Sequence, residues 1–193
     1  MAAVEHVILL DESGIARGYS EKSTVHTGST PLHLAFSGYL FNSDGHFLAT
    51  RRSADKKTWP NIWTNSVCGH PQRGESVTGA LRRRATDELG LELDEVRLVL
   101  PEFRYRAELD GVVENEMCPV LYATVRGEPR PDPAEVGTTR WMPWAEFLGR
   151  ALAEDSGFSP WCRLQSRQLS ALGAEPRDWP TGEPALLPPA ARL

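Results

Sequence analysis

The chain has 193 residues, 40% of them hydrophobic and 24% charged, a balance that excludes disorder over most of its length and fits an ordinary globular protein. A chain of this length predicts one domain with an elaboration and a sizeable single core. The formal net charge of −5 excludes a broad positive surface for nucleic acid or anionic lipid, so an anionic ligand must be met by a local cluster of cations.

In chain order, the N-terminal stretch Met1–Ser13 has a short apolar segment, Val7–Leu10, behind Glu5 and His6 with no basic region, which fails as a signal peptide. No run approaches membrane-spanning length. Cys68, Cys118 and Cys162 are an odd set that makes no disulfide framework and fits a reducing compartment, so a cytoplasmic location is expected. Strands are predicted over Val4–Leu10, Leu32–Phe41, Phe47–Thr50, Ile62–Val67, Val96–Tyr105 and Val112–Val125, rich in β-branched and aromatic residues or bounded by turn signals. Asn42-Ser43-Asp44-Gly45 and Leu109-Asp110-Gly111 read as hairpin loops.

Gly74-Glu75-Ser76, followed by Val77, Ala80, Leu81, Ala85 and Leu89 and then Gly90, reads as a helix with a serine start and a glycine stop. Two further helices are predicted over Trp144–Leu152 and Ser159–Leu172. Arg126–Gly137, with its prolines and glycines, reads as a loop. The tail from Gly173 to Leu193 carries Pro176, Pro180, Pro184, Pro188 and Pro189 and is expected to pack loosely or not at all. The organisation is therefore one α+β domain over 1–172 and a proline-rich tail over 173–193.

The segment Gly69–Leu91 resembles the Nudix box, a loop–helix–loop motif that presents carboxylates to divalent cations on a diphosphate: Gly69, Glu75, Arg83 and Asp87-Glu88 fall at its positions. Arg84 stands where hydrolases of that family keep a metal-binding carboxylate. At i and i+4, Arg84 and Glu88 share a helix face, so metal-activated hydrolysis looks impaired while diphosphate binding looks intact. A solvated helix with Arg82, Arg83 and Arg84 facing water is the competing reading.

Three further constellations carry chemistry. Cys68 and His70 stand at the entrance to the box. Glu114 and Glu116 lie two apart in a predicted strand and so share one face, where two like charges call for a cation or proton between them. His26, His33 and His70, with those glutamates, form a three-imidazole, two-carboxylate set suited to a divalent first-row metal if they converge.

In this order the motifs resemble the type 1 isopentenyl-diphosphate Δ-isomerase family, over about Glu21–Cys162. Thr64-Asn65-Ser66-Val67-Cys68-Gly69-His70-Pro71 and Glu114-Asn115-Glu116 with Cys118-Pro119 are more specific than the box alone. The resemblance implies a Nudix-type α/β/α sandwich around a mixed sheet, with N- and C-terminal extensions. It implies metal ligands at His26, His33, His70, Glu114 and Glu116, and catalytic groups at Cys68 and Glu116 with the active-site aromatics Tyr105 and Trp161. It further implies diphosphate-binding cations at Lys22, Arg52, Lys56 and Arg84, and Mg²⁺ held with the diphosphate by Glu88. The ion at the histidine site is expected to be Mn²⁺ or another divalent ion such as Zn²⁺ or Mg²⁺. The implied partner is a small prenyl diphosphate, without nucleic acid or membrane, for a monomer or homodimer.

Moving an isoprenyl double bond adds a proton at one carbon and removes another nearby through a tertiary carbocation that water would capture, so the site must be acidic, dry and rich in electron density. Competing readings are a Nudix hydrolase, which would release phosphate, and a catalytically silent binding domain that kept the fold.

Overall fold

The computed structural model describes residues 5–192; Val4, the expected start of the first strand, lies outside them. Twelve strands and four α-helices follow one another among the described residues: β1 (His6–Leu10), β2 (Ala16–Glu21), α1 (Lys22–Val25), β3 (His33–Leu34), β4 (Phe36–Phe41), β5 (Phe47–Arg52), β6 (Trp63–Thr64), β7 (Val67–Gly69), α2 (Val77–Leu89), β8 (Leu93–Leu100), β9 (Arg104–Leu109), β10 (Val112–Met117), β11 (Val120–Val125), β12 (Val136–Met142), α3 (Trp144–Ala151) and α4 (Pro160–Ala171). The mixed sheet is in fact two sheets. One runs β2-β1-β3-β10-β9; the other runs β12-β5-β4-β11-β8, with β6 on β5 and β7 on β4.

The chain crosses between these sheets three times, at β3–β4, β8–β9 and β10–β11, each within a stretch where the sequence predicts an uninterrupted strand, and the first and last crossings run side by side. Leu32–Phe41 breaks at Ala35 into β3 and β4, and Val112–Val125 breaks at Cys118-Pro119 into β10 and β11. Each half pairs in parallel with its counterpart: Glu116 faces His33 in one sheet, and Val120 faces Ser37 in the other. Pro119 has no N–H to give to a ladder. The bend is instead held by Ala35 N–H on the Met117 carbonyl at 2.9 Å, Ser37 N–H on the Pro119 carbonyl at 3.0 Å and Cys118 N–H on the Phe103 carbonyl at 2.8 Å. Apolar residues continue through both bends, and hydrophobic pattern alone does not mark such a bend.

Every residue of β4 is buried, as expected of a central strand covered on both faces. Phe36 and Leu40 face α2, together with Leu48, Val67 and Leu121. Tyr39 and Phe41 face α3, α4 and the tail, with Phe47, Tyr122, Trp144 and Phe147. This is the expected α/β/α layering, with the first sheet added at one end.

The α2 boundaries follow from its caps. Ser76 accepts from Gly79 N–H at 3.0 Å, and Gly90 closes the helix at φ 63°, a left-handed conformation that glycine adopts without Cβ strain. The hairpin loops form where predicted, Phe41 pairing with Phe47 and Leu109 with Val112. Two of the sequence expectations need extension: Ile62–Val67 divides into β6 and β7, and Val96–Tyr105 turns at Pro101 between β8 and β9. β2, α1 and β12 have no counterpart in the sequence reading. Arg-Gly-Tyr-Ser in β2 lacks an apolar alternation and forms only by pairing with β1, and the proline-rich stretch read as a loop ends at β12 rather than at Gly137.

The tail is not loose. Trp179 is 1% exposed and packs edge-on against Phe41, Tyr122 and Trp144. Its carbonyl accepts from Arg97 at 2.6 Å, and Gly182 N–H reaches the Leu98 carbonyl at 2.8 Å. The prolines form short 3₁₀ turns that carry Leu187 and Ala191 into the core beside α2. Trp179→Ala is expected to lower the unfolding free energy by about 3–5 kcal/mol, read from the midpoint of urea denaturation; an unchanged midpoint would return the tail to the periphery.

Candidate active site

A cleft of about 720 Å³ opens where the two sheets meet. Its floor on one side is the parallel pair β3 and β10. Their register sets Glu116 beside His33, and the two-residue period of β10 turns Glu114 to the same side as Glu116. His26 follows α1 and His70 follows β7, so four separate segments deliver the cluster. Glu116 Oε1 lies 3.3 Å from His33 Nε2 and 3.2 Å from His70 Nε2, and His26 Nε2 lies 3.2 Å from Glu114 Oε2. Donor atoms of His26, His33, His70 and Glu116 all fall within 4.8 Å of one another; Glu114 joins through His26.

The chemistry of this donor set fits a divalent cation. A carbonyl only accepts, so the 2.9 Å contact between His33 Nδ1 and the Pro31 carbonyl makes Nδ1 the donor and turns the Nε2 lone pair inward, as a backbone carbonyl on the far nitrogen does for imidazoles at metal sites. Nε2 of His26, Nε2 of His33 and Nδ1 of His70 are buried and make no hydrogen bond among the described residues, a state costly for polar atoms unless another ligand completes them. Burial pushes His70 down to about 4, so its imidazole is neutral. Burial also opposes charge on His33, but its contacts with Glu116 prevail and raise it. Burial alone would raise Glu116; its close contacts with the His33 and His70 imidazoles hold it well below the usual carboxylate range.

The other wall carries the thiol. Cys68, on β7 opposite Ser37, gives its S–H to Asn65 Oδ1 at 3.1 Å and lies 3.4 Å from Ser37 Oγ. Asn65 is fixed because its amide N–H groups reach the carbonyls of Gly38 at 3.1 Å and Val67 at 3.0 Å. Burial pushes the Cys68 thiol up to about 11. Tyr105 on β9 donates to Glu116 Oε2 at 2.8 Å, and burial beside that carboxylate raises its phenol well above the ordinary value. Trp161, at the start of α4, lies with its ring centroid 5.8 Å from Tyr105 and 5.5 Å from Trp59. Its place is set by Ser159, which caps α4, meets Thr64 Oγ1 at 2.9 Å and donates its N–H to the Trp63 carbonyl.

At the mouth of the cleft the cations are paired. Arg84 and Glu88 share a face of α2 as the spacing predicts, with Arg84 Nε 2.6 Å from Glu88 Oε1 and both residues 7% exposed. Burial raises Glu88, and the charge of Arg84 only partly opposes it. Arg84 therefore does not face water. Arg83 grips Glu75 with two 2.8 Å bonds. Lys22 meets Glu5 at 2.6 Å and Lys56 meets Glu135 at 2.5 Å. Arg52 lines the cleft and holds the following loop through the Thr58 and Trp59 carbonyls at 2.8 and 3.1 Å. Lys57 is exposed.

The residues given metal, catalytic or diphosphate roles from the sequence thus border one cleft or its cluster, His33 from beneath, whereas the box residues Glu75, Arg83 and Asp87 do not line it. Asn65, Ser37, Glu5 and Glu135 were not singled out as members. Asn65 stands inside a quoted motif, where its buried polar type was the available signal; Glu5 and Glu135 lie outside every motif.

The NUDIX domain family model matches residues 31–162. An isopentenyl-diphosphate Delta-isomerase of Saccharopolyspora erythraea is 50% identical over 189 residues, 97% of each chain, and one of Rhizobium rhizogenes is 50% identical over 190 residues, 97% of this chain and 91% of the relative. A crystal structure from Deinococcus radiodurans, 22% identical, superposes with a TM-score of 0.66 over 85% of this chain and 98% of the other; at that identity it speaks for the fold. With a Nudix domain across its centre and relatives of this identity along nearly its whole length, the chain belongs to the isopentenyl-diphosphate Delta-isomerase family.

Proposed function

We propose that the cleft interconverts isopentenyl and dimethylallyl diphosphate, with Cys68 and Glu116 as the two proton-transferring groups on opposite faces of the alkene. The observation that carries this reading is their separate origin: Glu116 comes from one sheet with Tyr105 on its second oxygen, and Cys68 comes from the other with Asn65 as its partner. One group delivers a proton and the other accepts one. The direct Tyr105–Glu116 hydrogen bond supports a relay role for the phenol. Trp161 offers an indole face to a tertiary carbocation, worth about 2 kcal/mol or more in a desolvated site, and with Trp59 and Tyr105 it excludes water that would capture that cation.

His26, His33, His70, Glu114 and Glu116 would hold a divalent ion, Mn²⁺ or alternatively Zn²⁺ or Mg²⁺, which supplies fixed positive charge that orients the Glu116 carboxylate. Glu88 would hold the Mg²⁺ that accompanies the diphosphate, and Lys22, Arg52, Lys56 and Arg84 would bind the diphosphate oxygens. Arg84 in place of a box carboxylate, buried against Glu88, argues against the hydrolase reading. Among the described residues no helix is long and apolar enough to cross a membrane.

Purified protein supplied with Mn²⁺ or Mg²⁺ is expected to convert isopentenyl to dimethylallyl diphosphate without phosphate release, and in D₂O the product should acquire deuterium. Cys68→Ala and Glu116→Gln should each lower kcat by about 10²–10⁴-fold while circular dichroism stays unchanged. Released phosphate, or full activity in Cys68→Ala, would sink the assignment.

The thiol itself gives a second measurement. Cys118 and Cys162 are 1% and 0% exposed, so iodoacetamide should find Cys68. Because the thiolate is the nucleophile and burial places the Cys68 midpoint at about 11, the alkylation rate of the metal-free protein should keep climbing between pH 8 and 10. A plateau near the ordinary cysteine value of about 8.5 would contradict the buried-thiol picture.

A further inference from the structure

The mouth of the cleft contains two carboxylates that neither the box nor the proton-transfer chemistry uses. Glu135, just before β12, takes Lys56 Nζ at 2.5 Å and Arg84 Nη2 at 3.2 Å on the same oxygen, Oε2. Glu5, just before β1, takes Lys22 Nζ at 2.6 Å on one oxygen and Arg84 Nη1 at 3.3 Å on the other. Each therefore bridges one lysine to the shared guanidinium. Glu88 differs, being buried on α2 with a side chain 9% exposed, whereas the Glu5 and Glu135 side chains are 43% and 28% exposed and sit on the open side.

An anionic oxygen held between two cations is the arrangement a phosphoryl oxygen requires. Lys22, Arg84 and Lys56 thus frame two adjoining anion sockets that share Arg84, and each is filled by a carboxylate of the chain itself. The Lys22–Glu5 and Lys56–Glu135 pairs keep 21–43% of their side chains exposed and are weak because water solvates the partners well, so a multiply charged ligand with its own Mg²⁺ can take the cations over while the displaced carboxylates turn to solvent.

We propose that Glu5 and Glu135 are resident counter-ions: they keep Lys22, Lys56 and Arg84 in place in the empty cleft and are exchanged for the two phosphoryl groups when a diphosphate binds. The proposal rests on the reading of this cleft as a diphosphate site. Its consequence is a raised threshold for anions. A diphosphate gains both sockets for one association, whereas a single phosphate gains one and must still displace a carboxylate, so ordinary phosphate is kept from occupying the site and product is not held too tightly.

The test is isothermal titration of the whole protein with inorganic diphosphate and with inorganic phosphate, with and without Mg²⁺, for wild type, Glu5→Gln, Glu135→Gln and the double variant. Glutamine keeps the shape and removes the charge. Each single variant should bind both anions more tightly, by about tenfold, and the double variant should make phosphate a visible competitor of diphosphate. A gain of affinity is not what a loosened structure produces. Unchanged or weaker binding in both single variants overturns the counter-ion assignment, and weakening in Glu135→Gln seen only with Mg²⁺ overturns it by making Glu135 a metal ligand. If wild type binds no diphosphate under either condition, the diphosphate reading of the cleft falls together with this proposal.

Discussion

The structure depends on one constraint, the parallel pairing that runs β3 beside β10 in one sheet and β4 beside β11 in the other, with both segments bending at the same level. Ahead of the bend, register places His33 against Glu116. Beyond it, Ser37 lies opposite Cys68. A one-residue slip in either strand would send these side chains to the opposite face, so the same pairing that builds the core also decides that a carboxylate and a thiol face one cleft from different sheets. The three backbone hydrogen bonds at the bend are thus structural and functional at once.

Two electrostatic regimes follow from depth. The histidine–glutamate cluster is nearly dry, and its pKa values move far: His70 falls to about 4 while the Cys68 thiol rises to about 11. Desolvation leads in both, and it disfavours the charged form in each. Glu116 departs from that rule because two imidazoles and a phenol converge on it. At the rim, where Lys22, Lys56, Glu5 and Glu135 keep a fifth to two-fifths of their side chains exposed, the pairs are exchangeable. On the proposed reading, chemistry belongs to the dry end and recognition of charge to the wet end.

The candidate site was more legible in the sequence than the path of the chain around it. Cys68, His70, Glu114, Glu116, Arg84 and Glu88 stand within short motifs whose spacing carries local geometry, a strand period or a helix turn. Convergence of His26 and His33 on them depends on which sheet each strand joins, and spacing holds no record of that. The bend at Ala35 leaves no mark in the sequence because hydrophobic residues run through it, whereas Pro119, which cannot donate to a ladder, is a break signal inside the predicted strand Val112–Val125. β2 was missed because its residues are polar and it exists by pairing, and the tail was misjudged because prolines that break helices also make compact 3₁₀ turns. Glu5 and Glu135 had no signal at all, since a lone glutamate in a connecting segment acquires meaning only from the cations beside it.

The packed tail has one more consequence, which concerns solubility. β8 is the last strand of its sheet and eight residues long, and an unpaired edge of that length is a template for pairing with another chain. Gly182 caps the Leu98 carbonyl, Arg97 is tied to the carbonyls of Arg177 and Trp179, and Ala190 reaches back to Gly14 near the first hairpin. The proline-rich segment cannot itself extend a ladder, because each proline lacks a donor. Anchored across this edge at Arg97 and Leu98, it occupies part of the ladder that a further strand would need, and so works against edge-to-edge association of the enzyme.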